Sequence, residues 1–137
     1  MKILNTKSEV PSKHQILNSK IYDLEDRTLN FSKQVIHFNR VLPKNIINTR
    51  LFDQCVRSGT SIGANYREAN ETDTKRDFKN RIRISKKEAK ETIYWLELII
   101  EANPNLKEKL MPLLKEAKEL MKILGSIYEK TKNPKNF

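Results

Sequence analysis

The chain has few of the residues that cross-link small domains or bind metals. It contains one cysteine and two histidines among 137 residues, so an internal disulfide is excluded. Cys55 lies on the apolar stripe of a helical pattern, which is typical of a free thiol in a reducing, cytoplasmic setting. His14 lies in the N-terminal arm and His37 has no carboxylate or cysteine at metal-ligand spacing, so no zinc site is predicted. A chain of this length can bury one core without such links.

Long apolar segments are also missing. No run approaches the roughly 20 residues of a membrane span. The N-terminal stretch MKILNTKSEVPSKHQ lacks the continuous apolar segment of a signal peptide, so neither a membrane nor an exported protein is expected. The charge, in contrast, is strongly unbalanced, with 27 Lys and Arg against 17 Asp and Glu and a net charge of +10. This excess favours acidic partners, nucleic acid before an anionic membrane surface.

Four segments carry the apolar periodicity of amphipathic helices. They are predicted to run from an N-cap at Asp23 to the residue before Pro43, from about Ile46 to about Asn70, from a cap at Thr72 or Asp73 to about Ala102, and from about Leu110 to Ile127. Pro112 is tolerated only in a first turn or as a kink. Either residues 106–111 form a separate turn, therefore, or the last helix begins near Pro112.

Short polar connections make successive helices antiparallel neighbours. The sequence therefore predicts an all-α fold, an antiparallel up-down-up-down four-helix bundle formed by residues 21–130. Residues 1–20 show no sustained period and are predicted to form a flexible N-terminal arm, and residues 131–137 a polar tail. Leu29 and Ile36 lie off the apolar stripe of the first helix, which favours a neighbour outside the bundle. Such residues are also often simply exposed.

Glycine is rare, and two of the three glycines lie inside the second predicted helix. Gly59 and Gly63 each cost that helix roughly 1 kcal/mol relative to alanine. We predict that a row of small residues there lets a neighbouring helix approach closely. A phosphate-binding loop is the alternative, but GTSIG has neither the glycine spacing nor the following Lys-Ser/Thr of a P-loop.

The third predicted helix carries a basic face. Six residues recur at steps of three and four and so share one face over about four turns: Arg76, Lys79, Arg83, Lys86, Lys87 and Lys90. No acid lies on this face before Glu97. Like charges at this spacing repel by a few tenths of a kcal/mol per pair, which favours binding of an external anion. The simpler alternative is a solvated lysine-rich face.

Polar residues follow the edges of the apolar stripes on the second and third helices. Counting outward from the short connection places Arg57 level with Glu88 and Glu91. We predict a satisfied polar network at a helix–helix or subunit seam, formed by Arg57, Ser61, Asn65, Glu68, Glu88 and Glu91. Carboxylates in four-helix bundles can also hold two irons, but that chemistry uses Glu-x-x-His on paired helices, and no histidine follows here. No metal, cofactor or catalytic thiol is therefore expected.

The same segments carry a family resemblance. The blocks RSGTSIGAN (57–65) and KEAKETIYWLE (87–97), within a match from about Ile21 to Lys130, resemble proteins encoded in intervening sequences of bacterial large-subunit ribosomal RNA genes. That four-helix-bundle family shares its fold with the accessory variability proteins of diversity-generating retroelements. The resemblance implies four-helix protomers assembled into a pentameric, ring-shaped barrel without enzymatic activity. It also implies binding of RNA or DNA or, in the retroelement branch, of a reverse transcriptase.

These observations predict a non-enzymatic homo-oligomer, with five subunits by resemblance, that binds RNA or DNA through its basic face with little sequence selectivity. The competing expectation is a structural or adaptor protein whose assembly recognises a protein partner. A base-stacking platform would favour nucleic acid, but the aromatic residues fall mostly on core stripes. Composition leaves both interpretations open.

Overall fold

The computed structural model describes residues 13–133 and residue 135, with side chains from Leu24 onward. The described part consists of four α-helices and one short 3₁₀ turn, and it contains no strand. The helices are α1 (Lys13–Phe38), α2 (Ile46–Asn70), α3 (Lys75–Ala102) and α4 (Lys107–Lys130), and the 3₁₀ turn is Pro104–Leu106. The predicted all-α class is confirmed.

The first helix is longer than predicted. It begins at Lys13, well before the predicted cap at Asp23, so that cap is wrong and residues 13–20 of the predicted arm have helical backbone. The apolar spacing of Leu17, Ile21 and Leu24 continues the steps of four and three of the α1 stripe, and this explains the extension. Residues 1–12 of the arm, and 134, 136 and 137 of the predicted tail, lie outside the described residues.

Helix α2 begins and ends at the predicted residues, and Asn45 caps it by accepting a hydrogen bond from the Asn48 N–H (2.9 Å). The predicted cap of α3 at Thr72 or Asp73 is wrong. Thr74 has the extended backbone of an N-cap, and its hydroxyl accepts a hydrogen bond from the Asp77 N–H (3.1 Å). A threonine oxygen in this position satisfies one of the unpaired N–H groups of the first turn.

Pro112 lies inside α4, so neither predicted alternative is correct. The separate turn is shorter than expected, and α4 begins at Lys107, ahead of the proline. Proline has no N–H, so Pro112 removes the hydrogen bond to the Glu108 carbonyl. The loss falls in the second turn of the helix on its exposed side, where water can solvate that carbonyl.

The helices pack in the order in which they occur, and α4 returns against α1, as predicted for an up-down-up-down bundle. Among these four neighbouring pairs, the contact between α2 and α3 is the most extensive, and that between α4 and α1 is the smallest. The core is formed by large apolar side chains from all four helices, among them Phe31, Ile62, Tyr66, Ile82, Leu96, Leu110, Leu120 and Leu124. Burying each aliphatic side chain stabilises the fold by about 1.5–3 kcal/mol.

The predicted close approach of a helix to α2 is present at Gly63. A Cβ atom built on this glycine would lie 2.9 Å from Thr28 Oγ1 and 3.1 Å from Thr28 Cβ, on α1. At Gly59 the nearest side-chain atom, Val35 Cγ2, would be 3.5 Å away, which is ordinary contact. Alanine therefore fits at Gly59 but overpacks the α1–α2 contact at Gly63.

The burial of Cys55 and the polar character of the helices both bear on the sequence predictions. Cys55 is free and buried, and burial raises the pKa of its thiol to about 12, so the reactive thiolate is scarce at neutral pH. None of the helices in the described part combines the length and apolar character needed to cross a bilayer.

Candidate nucleic-acid interface

The six basic residues predicted on α3 share one side of that helix, but they fall into two groups. Four of them are exposed to solvent: Arg76, Arg83, Lys87 and Lys90. The other two, Lys79 and Lys86, are half-buried because they lean toward α4. Within the described part of the chain, none of the six forms an ion pair with an acid. The face therefore keeps its full positive charge.

Lys79 and Lys86 both approach the ring of Tyr128 at the end of α4. Their Nζ atoms lie 5.6 and 5.7 Å from the ring centroid, and Lys132 Nζ, from the segment after α4, lies 5.3 Å away. Ammonium groups at such distances are attracted by the ring quadrupole. The Lys86 side chain also passes Gly125 on α4, where a Cβ atom would lie in ordinary contact with Lys86 Cε (3.6 Å).

An open groove of about 700 Å³ lies beside this lysine cluster, between the start of α3 and the end of α4. Its walls are formed by Thr74, Arg76, Asp77, Lys79, Asn80, Arg83 and Tyr128. Arg83 Nη2 donates a hydrogen bond to Asn80 Oδ1 (3.0 Å), which orients its guanidinium group along the helix. Cations outnumber the single acid, Asp77, so the groove suits an anionic ligand.

The sequence predicted the basic face but not the contribution of α4. Tyr128, near the end of α4, and Lys132, just after it, were absent from the candidate site because their spacing carries no recognisable motif. The available signal is topological: in an antiparallel bundle the last turn of α4 lies beside the first turns of α3. An aromatic residue in that last turn therefore lies within reach of the lysines of α3.

The predicted pairing of Arg57 across the α2–α3 seam is confirmed. Arg57 Nη1 lies 3.3 Å from Glu88 Oε1 and Nη2 lies 2.7 Å from Glu91 Oε1, and Arg57 Nε donates to Gln54 Oε1 (3.2 Å). The hydrogen bond to Glu91 is the main cause that raises the pKa of Arg57. The Glu88 side chain is only 10% exposed, whereas that of Arg57 is 48% exposed.

The other predicted members do not join this cluster. Ser61 Oγ donates to the Arg57 carbonyl (2.7 Å) and Asn65 Nδ2 to the Ser61 carbonyl (2.9 Å), so both bond mainly within α2. Asn65 Oδ1 also accepts from Arg81 Nη1 (3.1 Å) on α3. Glu68 is exposed on the solvent side of α2. A single six-residue network is therefore wrong. Asn65 meets α3 at Arg81 and not at the two glutamates, and Glu68 faces solvent.

Small polar residues inside the same seam were missed. Thr92 Oγ1 donates to Ser58 Oγ (2.8 Å), and Ser85 Oγ donates to the Ile62 carbonyl (2.7 Å), all of them buried. Ser58, Ser85 and Thr92 lie on the buried faces of α2 and α3, and the sequence pattern does not show which group of the facing helix each one contacts. The seam is thus a helix–helix contact within one protomer in which buried hydroxyl groups are hydrogen-bonded.

No metal centre is formed by the described residues, where no group of three His, Cys, Asp or Glu side chains converges. Glu88 and Glu91 face a guanidinium group, and Glu68 is remote from both. The chemistry available at the α3 face is therefore that of positive charge and hydrogen-bond donors.

The described residues define a small four-helix-bundle protein with a cationic face on α3. Residues 20–126 match the model of the 23S rRNA-intervening sequence protein family, and the chain belongs to this family. A crystal structure from Bacteroides thetaiotaomicron, of a protein of unknown function from the S23 ribosomal protein family, is 35% identical to it. The match covers 80% of this chain and 98% of that one, with a TM-score of 0.70. No curated protein matches the chain.

Proposed function

We propose that this protein is a non-enzymatic, nucleic-acid-binding protein whose contact surface is the basic face of α3 together with its groove. The observation that carries the proposal is that six neighbouring cations have no acid partner among the described residues. Structural surface charges are commonly balanced by nearby acids, whereas a polyanion such as RNA or DNA neutralises an unbalanced row. Membership of a family named for 23S rRNA intervening sequences supports the proposal.

The expected contacts are to phosphates and therefore carry little sequence information. Lysine and arginine side chains on a helix exterior reach the backbone of a nucleic acid. The ring of Tyr128 is surrounded by ammonium groups, so it does not offer a free face for base stacking. Binding without strong sequence preference follows.

The test is a filter-binding titration of the protein against structured RNA, single-stranded DNA and duplex DNA at 50 and 200 mM salt. If all six cations contact phosphates, duplex affinity should fall about a thousandfold between these salt concentrations, and single-strand affinity by a few hundredfold. Equal affinity at both salt concentrations, or no binding at the lower one, would contradict the proposal.

A protein-binding adaptor is the second candidate function. Three exposed apolar residues, Val41, Ile46 and Ile47, favour it, because they lie together at the connection between α1 and α2. An adaptor of this kind would recognise a protein partner such as a reverse transcriptase. Absence of nucleic-acid binding at low salt, with the bundle folded, would favour this function.

We also propose that the protomer assembles into a ring, with five subunits by resemblance. Leu29 and Ile36, predicted to face a neighbour, are 41% and 52% exposed on the protomer surface, and burial in an assembly would remove them from water. Light scattering behind a sizing column should give about five times the 16.1 kDa chain mass. A monomer at micromolar concentration would exclude the ring.

A cytoplasmic location is proposed from the single free cysteine.

A further inference from the structure

The cations at the junction of α3 and α4 are more concentrated than those on the rest of the basic face. Three ammonium groups, those of Lys79, Lys86 and Lys132, lie within 5.7 Å of the centroid of one ring. Such groups repel one another, and the attraction of each to the Tyr128 ring offsets part of that repulsion. Tyr128 thereby gathers charges that would otherwise spread apart.

The charge of this cluster is only partly neutralised by the protein. Lys132 forms an ion pair with Glu129 (3.3 Å) in an exposed setting, whereas Lys79 and Lys86 have no acid partner among the described residues. The adjoining groove adds Arg76 and Arg83 against one acid, Asp77. The local excess of positive charge is thus greater than one singly charged phosphodiester can balance.

We propose that the lysine cluster around Tyr128 is a subsite for a dianionic phosphate monoester, such as the terminal phosphate of a nucleic-acid strand, and this rests on the proposed function. A monoester carries about −1.5 to −2 charges at pH 7, whereas each internal phosphodiester carries one. The subsite therefore distinguishes strand ends from strand interiors. Lys79 and Lys86 contact the phosphate, and Tyr128 is a positioning residue that acts through them.

The experiment compares one single-stranded oligonucleotide in three forms: with a 5′-phosphate, with a 3′-phosphate and with hydroxyl groups at both ends. The parent protein should bind one of the phosphorylated forms about tenfold more tightly than the hydroxyl form, as expected for an added charge-assisted contact. Equal binding of all three forms would overturn the proposal.

Two variants of the ring separate positioning from packing. Tyr128→Phe keeps the ring quadrupole and should keep the preference for a phosphorylated end, whereas Tyr128→Leu keeps apolar bulk and should lose it. The readout is the ratio of the affinity for the phosphorylated form to the affinity for the hydroxyl form, so a change that affects both forms equally cancels. A preference that persists in Tyr128→Leu would show that the ring does not position the lysines.

A lysine variant keeps the proposal testable if Tyr128→Leu does not fold. Lys86→Gln removes one of the three charges without touching the core, and it should also lose the preference for a phosphorylated end. Lys33→Gln, on the exposed face of α1, is the matched control and should keep it. Loss of the preference in both variants would indicate a general charge effect and overturn the subsite.

Inorganic phosphate distinguishes failure of the subsite from failure of nucleic-acid binding and tests whether a free phosphate also fits. At matched ionic strength, phosphate should raise the Tm of the parent relative to chloride, and it should not raise the Tm of Lys86→Gln. If oligonucleotides do not bind but phosphate stabilises the parent selectively, the subsite serves a free phosphorylated ligand. If phosphate and chloride act alike and no end preference exists, the subsite is absent.

Discussion

Replacing the four exposed cations of α3 with glutamine should weaken duplex binding about two orders of magnitude more at 50 mM salt than at 200 mM salt. The four positions are Arg76, Arg83, Lys87 and Lys90. Each phosphate contact contributes about 0.9 to the slope of log affinity against log salt on duplex DNA and about 0.7 on single strands. Removing four contacts should therefore flatten the slope by about 3.6 on duplex DNA, measured by filter binding.

These four residues suit the test because none of them supports the fold. All are exposed and none forms an ion pair within the described residues, whereas Lys79 and Lys86 pack against Tyr128 on α4. The melting temperature and the oligomer mass of the variant should therefore match those of the parent. A large fall in either would make the binding result uninterpretable as a contact effect.

A matched control removes the same number of charges from exposed positions outside the α3 face. It replaces Lys33, Arg40, Lys44 and Arg67, all exposed on α1, α2 or their connection. This control should keep most of the salt slope, because it changes the net charge but not the α3 face. If both variants bind alike, the α3 face is only solvated surface.

Arg57→Ala should destabilise the protein more than Glu88→Gln, which neutralises the buried partner of Arg57. Removing the guanidinium leaves the Glu88 carboxylate, which is 10% exposed, without its cation, at a cost of about 1–3 kcal/mol. For a chain of this size that corresponds to a fall in Tm of about 3–9 °C. Glu88→Gln leaves Arg57 bonded to Glu91 and Gln54 and half-exposed to water, so it should cost less than about 1 kcal/mol.

The double variant provides the control for this asymmetry. If the cost of Arg57→Ala comes from the unpaired carboxylate, adding Glu88→Gln should recover part of the lost Tm in a double-mutant cycle. Additive losses would show instead that the Arg57 side chain stabilises the seam by packing. An unchanged Tm for Arg57→Ala would mean that water already solvates Glu88.

The parts of the fold that were predicted correctly depend on local rules. Helical periodicity and short polar connections were sufficient for the order of the helices and for both ends of α2, Ile46 and Asn70. The start of α1 was missed because residues 13–20 mix polar side chains with a sparse apolar repeat. The cap of α3 was missed because Thr72, Asp73 and Thr74 are all capping residues, and only the backbone conformation selects among them.

Some features of the candidate site also follow from local sequence rules, whereas others depend on how the helices pack. The basic face of α3 and the pairing of Arg57 with Glu88 follow from helix geometry and from counting residues outward from a short loop. The approach of Tyr128 to the lysines of α3 depends on the register between α3 and α4, which are separated by a turn containing Pro104. Such a register is determined by the packing of the whole core and has no local sequence signal.

The arrangement of side chains along the bundle axis has a consequence for the two candidate functions. The exposed apolar residues Val41, Ile46 and Ile47 lie at the end of the bundle where α3 finishes, whereas the lysine cluster around Tyr128 lies at the end where α3 begins. A protein that docks on the first end leaves the second end open. We therefore propose that, if both candidate functions hold, one protomer bridges a protein and a nucleic acid by holding them at opposite ends of the bundle.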